Sequence, residues 1–313
     1  MRASSGGARA VAPGAPRQGA KGQRAASERQ AVSSLAVLYA GVAGDEFRSR
    51  RRSKLAHQKG ACMLLEGKNA LIYGGGGAIG GAVARGLARE GARVFVAGRT
   101  QEPLEAVAAD IRADGGRCDT AIVDALDIAA TSAHADSVAA EAGSIDIGMT
   151  AINHNDVQGT PMLEMAIEDY LAPVVTGVRA SLVAWQALGR HMVRNGGGVL
   201  LNFGGEGPPV RTHPVGGLQA GLTAVESMRR QLATELGEHG VRVVTLRTGG
   251  IPEAVPADFA HREQIEAAIA GQTLLGRAAT LRDVGDVAAF VASDRARTMT
   301  AATVNVSCGT LVD

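Results

Sequence analysis

The feature that most constrains this chain is a run of glycines, Tyr73-Gly-Gly-Gly-Gly-Ala-Ile-Gly80, set between an apolar strand and an amphipathic helix. Ala70–Tyr73 is short and continuously apolar. Ala78–Glu90 carries Ile79, Val83 and Leu87 along one stripe, and Gly91 stops it. The alternation then repeats. The pattern predicts further strands over Arg93–Ala97, Thr120–Val123, Ile145–Ile152, Val199–Phe203, Val241–Leu246 and Thr303–Val306. Between them it predicts helices over Glu102–Asp114, Thr131–Ala142, Pro173–Arg194, Leu218–Glu238, Ala257–Ala270 and Leu281–Ser293. Strands separated by helices of this length pair in parallel, with right-handed crossovers that put helices on both faces. The expected fold is α/β: a single doubly wound, mostly parallel sheet of the Rossmann type, occupying residues 63–313.

Residues 1–62 are of another kind. They hold 12 Lys and Arg against 3 Asp and Glu, whereas the remainder holds 20 against 28, so the near-neutral total hides a basic arm on an acidic body. The arm is rich in Ala, Gly, Ser and Arg, lacks sustained apolar periodicity and is expected to be disordered. Its Arg48–Lys54 run could touch nucleic acid or anionic lipid, but a solvated tail is the plainer reading. A transit-like role is a second reading, and a natural start at Met63 a third. The apolar run 31–44 is too short to span a bilayer and precedes its basic cluster, the reverse of a secretory signal. Cys62, Cys118 and Cys308 lie far apart with no metal-ligand spacing, so a reducing cytoplasm and no metal are expected.

A glycine loop in the first strand–helix turn lets a pyrophosphate approach the backbone, and the helix N-terminus supplies N–H groups and a positive dipole end. Gly74, Gly76, Gly77, Ile79 and Gly80 are the candidate contacts. At the end of the second strand the chain has Ala97-Gly98-Arg99, with no acid to hold a ribose 2′-hydroxyl. A guanidinium pairs bidentately with a 2′-phosphate, which favours NADP(H) over NAD(H). Asp124 could accept from an adenine amino group or cap its own turn.

These residues resemble the short-chain dehydrogenase/reductase family over about Leu65–Val312. Leu65-Glu-Gly-Lys-Asn-Ala-Leu-Ile-Tyr-Gly is similar to its opening strand and Ala233-Thr-Glu-Leu-Gly-Glu-His-Gly-Val-Arg-Val to its helix before the sixth strand. Leu275-Gly-Arg-Ala-Ala-Thr-Leu-Arg-Asp-Val, Val291-Ala-Ser-Asp and Val304-Asn-Val-Ser-Cys-Gly-Thr match its C-terminal part. Of the family's Thr-Gly-x-x-x-Gly-x-Gly, the first and third glycines survive as Gly74 and Gly80. Its Asn-Asn-Ala-Gly reads Thr150-Ala151-Ile152-Asn153, which makes Asn153 a cofactor contact by resemblance. The catalytic Asn, Ser, Tyr and Lys fall on Gly177, Gly205, Leu218 and Leu222. No register shift restores the last two, because the chain has no Tyr after Tyr170 and no Lys after Lys68.

Other polar residues at the strand ends are the replacement candidates. Glu206 and His213 follow the fifth strand and His154 follows the fourth, with Asp156 beside it; each could serve as an acid or base in a partly buried cleft. The resemblance implies an NADP(H)-dependent oxidoreductase working on a small carbonyl, imine or alcohol without the Tyr–Lys pair. Two other readings stay open: a non-redox isomerase, cyclase or dehydratase on the same scaffold, and a nucleotide-binding pseudoenzyme or partner subunit. The resemblance also implies a homodimer or homotetramer, with no nucleic-acid or membrane partner for the folded domain. Trp185 is expected in the core or at a subunit interface, and Tyr170 is expected to pack.

Overall fold

The computed structural model of the chain describes residues 63–205, 207, 214–255 and 262–312. The basic extension, the candidates Glu206 and His213, and the first residues of the helix expected at 257–270 lie outside the described residues. Seven parallel strands form one sheet in the order β3-β2-β1-β4-β5-β6-β7. They are β1 Asn69–Tyr73, β2 Arg93–Gly98, β3 Arg117–Ile122, β4 Ile147–Thr150, β5 Gly198–Phe203, β6 Val241–Arg247 and β7 Ala302–Asn305. The helices are α1 Ala78–Arg89, α2 Gln101–Ala113, α3 Ile128–Ala142, α4 Ile167–Arg194, α5 Leu218–Leu236, α6 Arg262–Gly271 and α7 Leu281–Ala292.

Strand residues alternate between two cores, as a sheet covered on both faces requires. Ala70, Ile72, Val94 and Val96 pack with α1, α2 and α7 on one side. Leu71, Tyr73, Phe95 and Ala97 pack with α3, α4 and α5 on the other. Trp185 belongs to the second core and is buried. On the first side α1 and α7 cross at Gly86 and Gly285, where an added Cβ on Gly86 would lie 2.6 Å from the Gly285 Cα. Only glycine at the crossing allows backbones to approach so closely.

Three elements begin three or more residues earlier than expected: β3, α4, and α3, which starts at Ile128 behind its Asp127 cap rather than at Thr131. Strand β3 starts at Arg117, three residues ahead, because its solvent-facing polar residues broke the apolar pattern while its backbone still pairs with β2 from Arg93↔Arg117 onward. Helix α4 starts at Ile167 with Pro173 inside it. Pro173 forgoes one intrahelical hydrogen bond, while Glu168 and Asp169 in the first turn favour the N-terminus. Helix α4 is long and apolar enough to cross a bilayer by composition, yet Ala184, Trp185, Leu188 and Met192 bury its inner face against the sheet. Tyr170 sits half-buried in its first turns, and its carbonyl lies against Gly217, so the residue packs as expected.

Candidate active site

The strand order turns from leftward to rightward between β1 and β4, and the crevice outside their C-terminal ends is where ligands sit in such sheets. Gly74, at φ +83°, follows β1 so closely that any side chain would collide with the Ala151 carbonyl leaving β4. Gly80, in α1, equally abuts the Gly74 carbonyl. These two glycines set the tight turn and the helix–strand approach. Gly77 is the N-cap of α1, offers no side-chain cap, and no acid occupies the helix's first turn. The first N–H groups there are left for a ligand, with the positive end of the helix behind them.

Two connected cavities occupy the crevice. A smaller one, about 180 Å³, is lined by Gly74, Gly77, Arg99, Asp124, Asn153 and Asn155 among others. A larger one, about 1160 Å³, begins at Gly77–Ile79 and extends over the ends of β4, β5 and β6. Gly77, Ala151, Ile152 and Asn153 line both, so the two form one trough. The structure thus brings six of the eight expected cofactor contacts to the trough wall. Gly80 supports it from behind. Gly76 lines neither cavity; its missing Cβ faces Pro103 at 3.0 Å, which makes it a packing glycine against α2.

Arg99 is exposed and makes no hydrogen bond or ion pair among the described residues, so its guanidinium is available at the edge of the smaller cavity. Asp124 does cap its own turn: its Oδ1 accepts from the Leu126 amide at 3.0 Å. Its second oxygen can still serve a ligand. Asn153 Oδ1 accepts from the Asn155 amide at 2.6 Å, which holds Asn155 in a left-handed conformation at φ +57°. Thr150, which sequence reading treated only as part of a degraded motif, lines the larger cavity with a buried hydroxyl that lacks a hydrogen-bond partner among the described residues. A buried hydroxyl left in this way carries a desolvation penalty that a bound polar group relieves. Glycine cradle, uncapped helix, exposed guanidinium and orphaned hydroxyl together fit a dinucleotide.

The resemblance puts the family's catalytic residues at Gly177, Gly205, Leu218 and Leu222, and each of these positions, with the adjacent Gly204, has a defined neighbour or lines the cavity. Gly177, on α4, faces the His154 imidazole: a Cβ there would sit 3.5 Å from Cε1 and 3.6 Å from Nδ1. Gly204 faces Leu222, whose Cδ2 would lie 2.7 Å from an added Cβ. Gly205 faces Arg247, whose Cβ, Cγ and Cδ would lie 3.0 to 3.2 Å away. Leu218 and Leu222 both line the larger cavity and give it an apolar wall. Helix α5 can bring them there because Gly217 and Gly221 pack directly on the carbonyls of Tyr170 and Pro173 in α4.

His154 is half-buried in this cavity, and burial pushes its pKa below the ordinary imidazole value, an effect Asp156 partly offsets. The ring is therefore neutral near pH 7 and able to accept a proton. Gln219 lines the same cavity, and its Oε1 accepts from the Gly207 amide at 3.0 Å, which ties Gly207 to α5. Arg247, the last residue of β6, lines the cavity beside Gly205. Nothing in its local sequence marked it; the signal was the glycine 42 positions earlier that makes room for it. Among the described residues, no group of three or more His, Cys, Asp or Glu converges as a metal site.

A family model described as enoyl-(acyl carrier protein) reductase matches residues 76–310. D-threitol dehydrogenase of Mycolicibacterium smegmatis is 30% identical over 249 residues, 78% of this chain and 93% of that protein. Sorbitol dehydrogenase of Cereibacter sphaeroides is 31% identical over 261 residues, 79% of this chain and 98% of that protein. Among solved structures, a short-chain type dehydrogenase/reductase from Mycobacterium marinum superposes with a TM-score of 0.68 at 27% identity, covering 80% of this chain and 97% of that one. With fold, crevice and sequence in agreement over the described domain, the chain belongs to the short-chain dehydrogenase/reductase family of oxidoreductases, whose members bind nicotinamide cofactors.

Proposed function

We propose that the chain is an NADP(H)-dependent oxidoreductase that interconverts a small organic alcohol and its carbonyl or imine, with His154 handling the proton in place of the Tyr–Lys pair. The observation that carries this reading is the continuity of the trough. One end presents Arg99 and the α1 N-terminus, and the other opens without a break into the cleft that holds His154. A bound nicotinamide cofactor supplies or accepts the hydride. Gly74, Gly77 and Ile79 would hold its pyrophosphate side, Arg99 its 2′-phosphate, and Thr150 and Asn153 the ribose nearer the cleft. His154, neutral at rest, accepts the proton an alcohol must lose and returns it in the reverse direction. Glu206 and His213 are the alternative groups for that step.

The neighbouring dehydrogenases named for D-threitol and sorbitol act on polyols. This cleft suits a less hydroxylated substrate. Phe203, Leu218, Leu222, Ile265 and Ile269 line it, and extra hydroxyls would lie unpaired against them. The exposed side of α4 carries Ile167, Leu171, Val175 and Leu182 on one stripe, which supports a homodimer or homotetramer formed through that helix. The free Cys118 and Cys308 support a reducing cytoplasmic location.

The test is a fluorescence titration of NADPH and NADH against the wild-type chain and Arg99→Ala. NADPH should bind the wild type, and the variant should lose about 10- to 100-fold in NADPH affinity, the worth of a charge-assisted pair, with NADH unchanged. Equal losses for both would remove the 2′-phosphate assignment, and absence of NADPH binding at millimolar concentration would remove the oxidoreductase reading.

A further inference from the structure

Ser181 lies on α4 one turn after Gly177, is 5% exposed and lines the larger cavity. A buried helical serine ordinarily bonds back to the carbonyl four residues earlier. This hydroxyl bonds neither to that carbonyl nor to any other group among the described residues. Asn202, on β5, is 4% exposed and lines the same cavity. Its Nδ2 donates to Glu226 Oε1 at 3.4 Å and to Thr245 Oγ1 at 3.3 Å. Glu226 is a carboxylate paired with Arg229 and gives no hydrogen, and Thr245 donates its own to the same carboxylate. The amide must therefore turn its nitrogen toward them, which leaves Oδ1 on the other side, with no donor among the described residues.

The fold brings the two together. Leu188 of α4 and Leu200 of β5 meet over Gly148, at 2.7 and 3.0 Å from where its Cβ would stand. Helix α4 links two parallel strands, so it runs back antiparallel to them. From that meeting point Ser181 lies two turns along the helix on the same face, about 10 Å toward the cleft. Asn202 lies two residues along the strand on the same face, about 7 Å toward the cleft. Thr150 is the register partner of Asn202 on β4, so the pair stands beside the residue assigned above to the cofactor ribose.

We infer that Ser181 and Asn202 form a neutral subsite at the cleft floor for one hydroxyl of the substrate, and that the substrate class is an otherwise apolar diol or hydroxy-ketone. An alcohol matches the pair, because its hydrogen goes to Asn202 Oδ1 and its lone pair takes the Ser181 hydrogen. A carbonyl would leave Oδ1 unpaired. An ammonium would leave the Ser181 hydrogen unpaired and bring a charge onto a floor of neutral groups. This hydroxyl is not the reacting one, since the reacting hydroxyl must yield its proton to a base and an amide oxygen does not take it. Hydroxyls beyond this one would still face the apolar wall of Leu218, Leu222, Ile265 and Ile269. The reacting group rests on the oxidoreductase reading; the hydroxyl subsite stands on the cavity itself.

The experiment uses the full chain, with and without NADP⁺. The probes are the 1,3- and 1,4-cyclohexanediols, the 3- and 4-methylcyclohexanols, in which a methyl replaces the second hydroxyl, and 4-aminocyclohexanol. Binding is measured by calorimetry, with circular dichroism confirming each variant's fold. At least one diol should bind at least about tenfold more tightly than its methyl counterpart. Ser181→Ala should remove about tenfold from that diol and leave the methylcyclohexanols unchanged, which a loss of packing alone would not do. Ser181→Thr, which keeps the hydroxyl, should keep the preference for the diol. The inference is overturned if neither diol binds at millimolar concentration, if the methylcyclohexanols bind as well as the diols, or if 4-aminocyclohexanol binds more tightly than the 1,4-diol. It is equally overturned if Ser181→Ala weakens diol and methylcyclohexanol alike or weakens neither. Should that variant not fold, the wild-type comparison decides alone. NADPH titration of the same samples separates the two readings: a Ser181-dependent diol preference without NADPH binding would keep this subsite and discard the redox function.

Discussion

Beneath the cleft floor lies a buried ion pair whose removal should be among the most destabilising single changes in the domain. Glu226 and Arg229, one turn apart on α5, are 1% and 2% exposed. Glu226 Oε2 accepts from Arg229 Nε at 3.0 Å and from Thr303 Oγ1 at 3.3 Å; Oε1 accepts from the Thr245 hydroxyl and from Asn202 Nδ2 at 3.4 Å. One carboxylate thus ties α5 to β5, β6 and β7. Glu226→Ala would leave a buried guanidinium without a counter-charge, which costs about 3–5 kcal/mol, before counting the three donors that also lose their acceptor. Against a typical total of about 5–15 kcal/mol, that is a third or more of the domain's stability. The double variant Glu226→Leu/Arg229→Met removes both charges, and such replacements are often neutral or favourable by about 1–4 kcal/mol. Arg229 favours that outcome, because its buried Nη1 has no hydrogen-bond partner among the described residues. Asn202 and Thr245 would keep their own contact at 3.3 Å. Urea denaturation of the three proteins, compared at equal m-value, decides the matter. A loss below about 1 kcal/mol in Glu226→Ala, or a double variant no more stable than the single, would refute the argument that the pair is held by mutual neutralisation.

Three further outcomes follow from particular contacts. Gly86→Ala should cost about 1–3 kcal/mol, since its methyl would enter the Gly285 backbone at the α1–α7 crossing; an unchanged thermal midpoint would show that the helices can separate freely. Helix α7 opens with a capping box in which Thr280 and Asp283 exchange hydrogen bonds, and Arg277 with the Thr280 amide pulls the Asp283 pKa from 3.8 down to about 2. Because the folded pKa is the lower one, the stabilisation is complete above pH 3.8 and disappears as pH falls through about 2; Asp283→Asn should therefore cost about 1 kcal/mol at pH 7 and nothing below pH 2. If His154 is the base, kcat/KM for alcohol oxidation should rise with pH through a value below the ordinary imidazole pKa, and His154→Gln should abolish that limb while NADPH still binds. A limb unchanged in His154→Gln would move the role to Glu206 or His213.

Most of the scaffold was legible because burial on both faces of a parallel sheet writes continuous apolar strands, and glycines punctuate the turns. It failed where polarity masked pairing, as in β3, and where a proline inside α4 imitated a helix start. Gly74, Gly77, Ile79, Arg99, Asp124 and Asn153, expected from chemistry tied to a fixed place in the fold, all line the one trough. Gly76 packs toward α2 and lines neither cavity, because in a run of four glycines the sequence does not say which one borders a cavity and which one meets a helix. Arg247 and Thr150 escaped for a different reason. Their significance lies in what stands opposite them across strand ends, and residues far apart along the chain share a cavity only once the sheet is assembled.

The neighbours of Gly177, Gly204 and Gly205 bear on how committed the cleft is to its present packing. Simple loss of a side chain leaves a cavity, and a cavity in a packed interior costs stability in proportion to its volume. Here three glycines each face a specific neighbour: an imidazole, a leucine and an arginine stem. Two of those neighbours bring polar groups into a cleft whose other wall is apolar at Leu218 and Leu222, the reverse of what passive filling by apolar groups would give. The arrangement also resists reversal one residue at a time. A serine at 205 meets Arg247, an asparagine at 177 extends into His154, and a lysine at 222 gives up the leucine packing that covers Gly204. Leu218→Tyr with Leu222→Lys should consequently yield no carbonyl reductase activity by itself. Adding Gly205→Ser together with Arg247→Ala should be required before that chemistry can return, because only then do the serine hydroxyl and the restored pair have the space the arginine now occupies. Activity from the two-residue change alone, measured as NADPH oxidation with acetophenone, would show that Arg247 yields its position readily and that the cleft is less committed than its packing implies.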